Sequence, residues 1–149
     1  KAEEWLLQSN DSDLLQQFIF SEIIEKNIGM NEPCFVYNFP ITQASLATEC
    51  PEDSRVAQRF ECYFKGIELA NGFNELTDPK IQEQRFNLDN EKRQRLGLSK
   101  RNIDNNFIKA LYSGLPQCSG VAVGVDRLMM IALAKSCINE VLSFPIDQA

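Results

Sequence analysis

Apolar residues over 12–26 fall at Leu14, Leu15, Phe18, Ile19, Ile23 and Ile24, spacings of three and four that put them on one side of an α-helix. Asp11 or Ser12 stands ready as its N-cap, and Asn27-Ile28-Gly29 is its stop. The period then changes. Residues 34–39 read as a short strand closed by Pro40, and 50–54 as a polar loop containing Pro51. Over 59–65 the pattern alternates in twos, with Phe60, Cys62 and Phe64 on one side and Glu61 and Tyr63 on the other. After Lys65-Gly66 a second apolar-rich run continues to Phe73, so this stretch predicts two antiparallel strands. Residues 79–95 are polar and rich in helix formers, which predicts a solvated surface helix with Asp78 as cap, Pro79 at its first position and Gly97 after its end. A second short helix is predicted over 103–112, stopped by Gly114 and Pro116. Residues 120–124 are extended, and Asp126 caps a last apolar helix over 127–135. The order helix, strands, two helices, strand, helix fits an α+β fold with an antiparallel sheet better than an alternating parallel one.

At 149 residues the chain has room for one ordinary core, and 44% hydrophobic with 24% charged residues excludes a disordered tail, a collagen-like repeat or a coiled coil as its main content. Its formal net charge of -6 denies it the overall basic field of a dedicated nucleic-acid binder. The longest apolar run, 128–134, is far short of the roughly 20 residues that cross a bilayer. Lys1-Ala2-Glu3-Glu4 has no features of a signal peptide, and a start on Lys implies a chain that begins inside a longer protein. Five cysteines at wide spacings, without a C-x-x-C pair, suit neither a zinc site nor a disulfide framework and read as reduced thiols of a cytoplasmic protein.

The stretch richest in chemistry is Ser119-Gly120-Val121-Ala122-Val123-Gly124-Val125-Asp126-Arg127-Leu128, where a glycine-bearing strand runs straight into a helix start. Gly124 permits a planar ligand to approach the backbone, the helix N-terminus favours anions, and Arg127 adds a fixed positive charge suited to phosphate. A small-residue strand before a helix is more often simple helix-on-sheet packing. Packing alone does not explain Arg127, because an arginine in the first turn opposes the helix dipole.

Here the chain resembles the C-terminal part of the catalytic domain of class II aminoacyl-tRNA synthetases, in the lysine branch. Residues 120–128 are similar to the third signature motif of that class. A second carrier is Arg59-Phe60-Glu61 followed by Gly66-Ile67-Glu68-Leu69-Ala70-Asn71-Gly72-Phe73-Asn74-Glu75-Leu76-Thr77-Asp78, which resembles the lysyl enzymes' acidic and amide run around Asn-Gly-Phe. The resemblance covers nearly the whole chain from Cys34 onward. Within the branch it is nearest to the shortened paralogues of the PoxA/GenX family, which attach β-lysine to a lysine of elongation factor P. Three features argue for the paralogue: Ala122 where the tRNA enzymes have glycine, the segment Gln43-Ala44-Ser45-Leu46-Ala47, and the stop at Ala149.

The resemblance implies an α+β fold with an antiparallel sheet flanked by helices, and residues 1–149 as a single partial domain, the C-terminal portion of a catalytic domain. It implies ATP and Mg2+ as cofactors, with Glu61 and Glu68 holding the metal, Arg127 on the terminal phosphate and Gly124 against the adenine. Asn71 would bind the substrate carboxylate, Phe73 lie along its aliphatic chain, Glu75 pair with an ammonium, and Gly120 and Ala122 line the amino-acid pocket. Carboxylates suit a hard cation, and an acidic group suits a cationic amine. Without the resemblance, Glu61, Glu68 and Glu75 read as a solvated strand face and Phe73 as core.

The implied activity is adenylation of (R)-β-lysine or lysine, then transfer to elongation factor P, by a protein that is a homodimer at full length, with no tRNA or membrane partner. The first and second motifs of the class are not in this chain. A fragment of a lysyl-tRNA synthetase is the alternative, and an inactive amino-acid-sensing or partner-binding paralogue the alternative of another class. The intact Glu61, Glu68 and Arg127 count against the last.

If Lys65-Gly66 forms a two-residue turn, Tyr63 faces Glu68 and Glu61 faces Ala70, so both glutamates share a face with Tyr63 between them. Asn71, Phe73 and Glu75 then have the wrong parity, and a bulge must bring them round. Gly72 is where the sequence predicts it.

Overall fold

The computed structural model describes residues 11–146; the start at Lys1 and the end at Ala149 lie outside the described residues. Helix α1, Ser12–Ile19, is capped by Asp11, whose carboxylate accepts from the N–H groups of Asp13 and Leu14. The single helix read over 12–26 is corrected: after Ile19 the chain widens into a π turn at Phe20–Ile24 and tightens into a 3-10 turn at Glu25–Asn27. The widened turn coincides with Phe20 meeting the Tyr63 ring edge-on, at 5.7 Å between centroids. Tertiary packing here outweighs the regular period.

Strands β1 (Cys34–Pro40), β3 (Asp53–Phe64), β4 (Ile67–Asn74) and β5 (Ser119–Val123) form an antiparallel sheet in the order β1-β3-β4-β5, and the short β2 (Glu49–Cys50) also pairs with β3. The stretch read as a polar loop thus contributes β2 and the start of a β3 longer than expected. Lys65 and Gly66 both take positive φ, 52° and 69°, as a two-residue hairpin turn requires. Gly29 and Ile28 carbonyls accept from the N–H groups of Lys65 and Gly66 and tie the hairpin tip to the segment after α1.

Helix α2, Pro79–Arg95, is capped by Asp78 as predicted, carries Lys92, Arg93 and Arg95 in its last turn where they favour the dipole, and is followed by Gly97 at φ 72°. Helix α3, Asn105–Tyr112, starts two residues later than read because Asp104 caps it. Phe86 and Phe107 join α2 to α3. The last helix, α4, spans Val125–Ala132 with Gly124 at its N-cap position, so Asp126 lies in the first turn and does not cap it.

A core of small residues, Ala44, Ala47 and Ala57, receives Ile41 and Phe73. Residues 43–47 therefore pack closely against β3, and the Arg85 guanidinium donates to the Ala47 carbonyl over them. One sheet face carries Arg59, Glu61 and Tyr63; the other carries Phe60 with Phe35 beside it, and Phe35, Tyr37, Val121 and Val123 are exposed.

Candidate active site

Register decides which side chains meet. Tyr63 pairs with Glu68 as expected, but Glu61 pairs with Asn71 and Arg59 with Phe73, because the β3–β4 register shifts between Cys62 and Tyr63. Glu61 opposite Ala70 is thus corrected. The bulged residue is Leu69, not Gly72, and it lets Glu68 join Asn71 and Phe73 on the Glu61 face. Across the next ladder, Ala122 pairs with Asn71 and Gly120 with Phe73, so both β5 residues look onto this same face. Gly72 has a different reason to lack a side chain: a Cβ there would lie 2.5 Å from Phe60 ring carbons on the opposite face.

Glu61 is buried at 6% exposure and anchors the middle of the site. Its Oε1 accepts from Arg59 Nη2 and from Asn71 Nδ2, the latter at 2.9 Å, and its Oε2 accepts from the Tyr63 hydroxyl. Burial first, then the hydrogen bond to Glu61 and the charges of Glu61, Glu25 and Glu68, push the Tyr63 phenol well above its ordinary pKa, so it serves as a donor. Arg59 is pinned on three sides. Nη1 donates to the Gln43 carbonyl at 2.8 Å, and the guanidinium carbon lies 4.5 Å from the Phe39 ring centre and 5.9 Å from that of Phe73.

At the hairpin end, Arg127 Nη1 donates to the Glu68 carbonyl at 2.8 Å and lies 3.4 Å from Glu68 Oε2, both side chains being partly exposed. The next carbonyl, that of Leu69, accepts from the Gly124 N–H at 2.9 Å. The bulge therefore offers two successive carbonyls to the start of α4. Gly124 leaves room for the Arg127 stem, whose Cδ would stand 3.3 Å from a Cβ added there. At the other end of β4 the Glu75 carboxylate lies directly over Gly120, so closely that any Cβ at 120 would overlap Oε1.

The candidate residues thus form three groups along one face: Glu68 with Arg127, Glu61 with Asn71 and Ala122, and Phe73 with Glu75 and Gly120. At about 3.3 Å per residue, Glu68 and Glu75 are roughly 20 Å apart along β4. A cavity of about 640 Å³ opens beside the middle group between α1 and the sheet, lined by Arg59 and Glu61 with Phe20, Phe39 and Asp89 among others; Glu68, Asn71, Glu75, Gly120, Ala122, Gly124 and Arg127 do not border it. Arg59 is the residue that sequence reasoning passed over as a site group. Its signal was its place two residues before Glu61, which on a strand means the same face.

Oxygen acceptors left over on this face suit a hard cation. Among the described residues, Glu61 Oε2 has one donor, the Glu68 carboxylate is held only by the 3.4 Å contact, and the buried Asn71 Oδ1 has no hydrogen-bond partner. Among the described residues no three His, Cys, Asp or Glu side chains cluster as a self-sufficient metal cage. One or two carboxylates completed by substrate phosphates are the usual way magnesium is held.

Residues 9–148 match the family described as tRNA synthetases class II (D, K and N). The chain is 58% identical over 142 residues to an elongation factor P (R)-β-lysine ligase of Histophilus somni, a match covering 95% of this chain and 44% of the relative. It is 56% identical over 141 residues to the protein so named from Haemophilus influenzae, covering 95% and 44%. With the one from Pasteurella multocida it shares 53% identity over 152 residues, covering 100% and 47%. The chain spans about half the length of the curated relatives it matches.

Proposed function

Because the chain belongs to the class II tRNA synthetases of the D, K and N group, we propose that it is the C-terminal portion of the catalytic domain of an ATP-dependent ligase that adenylates (R)-β-lysine and transfers it to a lysine of elongation factor P. The observation that carries this reading is the row Glu68, Asn71, Phe73 and Glu75 on one face, with Arg127 at one end and Glu61 in the middle. That order matches the polarity of the reacting pair. Phosphates lie at the Glu68–Arg127 end, the substrate carboxylate at Asn71, and its ammonium at Glu75.

Glu61, Glu68 and Asn71 Oδ1 are the groups that would hold Mg2+, which when bound neutralises phosphate charge. Arg127, held through Nη1 on the Glu68 carbonyl, would offer its remaining N–H donors to the terminal phosphate. Asn71, oriented by its bond to Glu61, presents its amide to the substrate carboxylate. The carboxylate attacks the α-phosphorus of ATP, a new P–O bond forms, and pyrophosphate leaves with the electrons of the broken one. The neutral acceptor amine then adds to the acyl carbon, the acyl C–O bond to the phosphate breaks, AMP leaves with that electron pair, and the nitrogen gives up its extra proton to solvent. Phe73 walls the aliphatic part of the substrate, and Ala122 beside Asn71 sets how much room is left near the carboxylate. Positioning and charge stabilisation carry catalysis of this kind.

The reading includes a homodimer at full length and action in the cytoplasm, in keeping with five cysteines that are all free. No helix among the described residues is long and apolar enough to cross a membrane. The test is ATP–pyrophosphate exchange by the full-length protein with β-lysine and with α-lysine, followed by transfer to elongation factor P. The 149-residue chain alone should not support exchange. Exchange with neither amino acid by the full-length protein refutes the proposal, and transfer to lysine tRNA in place of the protein favours the tRNA synthetase.

A further inference from the structure

Glu61 is held by a cation to which the reading above gives no task. Arg59, two positions earlier on β3, donates through Nη2 to Glu61 Oε1 and through Nη1 to the Gln43 carbonyl at 2.8 Å. Its guanidinium carbon lies 4.5 Å from the centre of the Phe39 ring and 5.9 Å from that of Phe73. Three separate segments, β1, residues 43–47 and β4, thus grip one planar group that β3 supplies.

Stability alone does not account for this pair. The Arg59 and Glu61 side chains are 18% and 9% exposed, and taking two charges out of water offsets much of what their attraction returns. Arg59 also keeps its Nε buried without a hydrogen-bond partner among the described residues, a cost that an apolar side chain in its place would not carry.

What the pair does decide is which oxygen of Glu61 is left over. An ionised carboxylate has about four acceptor sites. Among the described residues Oε1 accepts twice, from Arg59 and from Asn71, and Oε2 once, from the Tyr63 hydroxyl, so the remaining site is on Oε2. Without Arg59 a site would open on Oε1 as well, and the carboxylate could turn about its last bond and take the Asn71 amide with it. Lysine is no substitute, because an ammonium on a flexible stem has no planar fork to span Glu61 and the Gln43 carbonyl beside the Phe39 ring. Resting on the ligase reading above, in which Glu61 holds the magnesium of ATP, we propose that Arg59 is a positioning residue that acts through Glu61, fixing its carboxylate so that Oε2 faces the metal.

The experiment uses the full-length protein and measures its affinity for ATP by calorimetry, without amino acid, once with Mg2+ and once with EDTA. The ratio of the two affinities reports on the metal, whereas a merely structural loss lowers both alike. In Arg59→Met and Arg59→Lys the ratio should fall roughly tenfold or more, as when the hydrogen-bond partner of a metal ligand is removed. Arg59→Lys keeps the charge and carries the test should Arg59→Met fail to fold in thermal melts. Glu61→Gln should lower the ratio as well, and adding Arg59→Lys to it should lower it no further. A wild-type ratio in Arg59→Lys, or a further fall in the double variant, overturns the proposal. ATP–pyrophosphate exchange by the wild type is followed alongside. Its absence with both β-lysine and α-lysine would sink the ligase reading and this proposal with it, whereas an unchanged ratio with exchange intact removes only the role of Arg59.

Discussion

Replacing Gly120 by alanine isolates one contact of the candidate site. Gly120 sits in β5 opposite Phe73, and its φ lies outside the left-handed region, so the backbone accepts alanine without strain. The new Cβ would stand 3.5 Å from Glu75 Cδ and overlap Oε1, and apart from its own chain neighbours it would meet no other heavy atom of the described residues within 4 Å. All of the crowding therefore falls on the far end of one flexible side chain. The carboxylate must withdraw by on the order of 1 Å, a displacement that commonly costs about 10²-fold when it misplaces a substrate-orienting group. Stability should change little, and removing glycine's freedom in the unfolded chain offsets part of any loss, by about 0.4–1 kcal/mol.

The assay is exchange by the full-length protein, with KM measured separately for the amino acid and for ATP. Gly120→Ala should lower kcat/KM for β-lysine about 100-fold while leaving the KM for ATP within twofold and the thermal midpoint nearly unmoved. Glu75→Gln should do the same through charge. If the alanine acts only by displacing Glu75, the double variant should be no worse than Glu75→Gln alone. Wild-type kinetics in Gly120→Ala, or full additivity with Glu75→Gln, would refute the assignment of Glu75 to the ammonium.

Three other outcomes follow from the same geometry. Gly72→Ala puts a methyl against the Phe60 ring and 2.8 Å from the Gly120 carbonyl, neither of which yields easily, and should destabilise the fold by about 1–3 kcal/mol in denaturant titration; a loss under about 0.5 kcal/mol would contradict this packing. Tyr63 keeps its proton in the folded state above the pH, about 10, at which an unfolded tyrosine loses it, so its contribution is complete below pH 10 and declines as pH rises further; Tyr63→Phe should flatten the alkaline loss of stability, and an unaltered profile would argue against the burial and charge described for it. Ala122→Gly should shift preference toward α-lysine over β-lysine by roughly 10–200-fold in exchange rates, whereas an unchanged ratio would remove Ala122 from substrate choice.

What the sequence disclosed was whatever is decided locally. Asp11 and Asp78 cap the helices they precede, and Lys65-Gly66 makes the turn that its residue types favour. The parity conflict between Glu68 and Asn71 was also readable, together with the need for a bulge. Its position was not, because the bulged residue is a leucine and the obvious breaker, Gly72, is small for the sake of Phe60. Leu69 gives no local sign of its role: its carbonyl is taken by Gly124, more than fifty positions away in sequence. Arg59 escaped for the same reason, since Phe39, Phe73 and the Gln43 carbonyl come from three separate segments.

The bulge makes the candidate site possible at all. Glu68 and Glu75 are seven positions apart, an odd interval that on a regular strand puts them on opposite faces. Continuing the register from Glu61 opposite Asn71 without a shift would set Glu68 opposite Phe64, among the apolar residues of the back face. One extra residue returns it to Tyr63 and to the Glu61 face. The same irregularity turns out two carbonyls, and the start of α4 takes both, Gly124 through its N–H and Arg127 through its guanidinium. Glu68, read as a metal ligand, and Arg127, read as the contact to the terminal phosphate, are thereby fixed to one backbone feature. A change that regularised β4 at Leu69 would misplace the carboxylate and the arginine together.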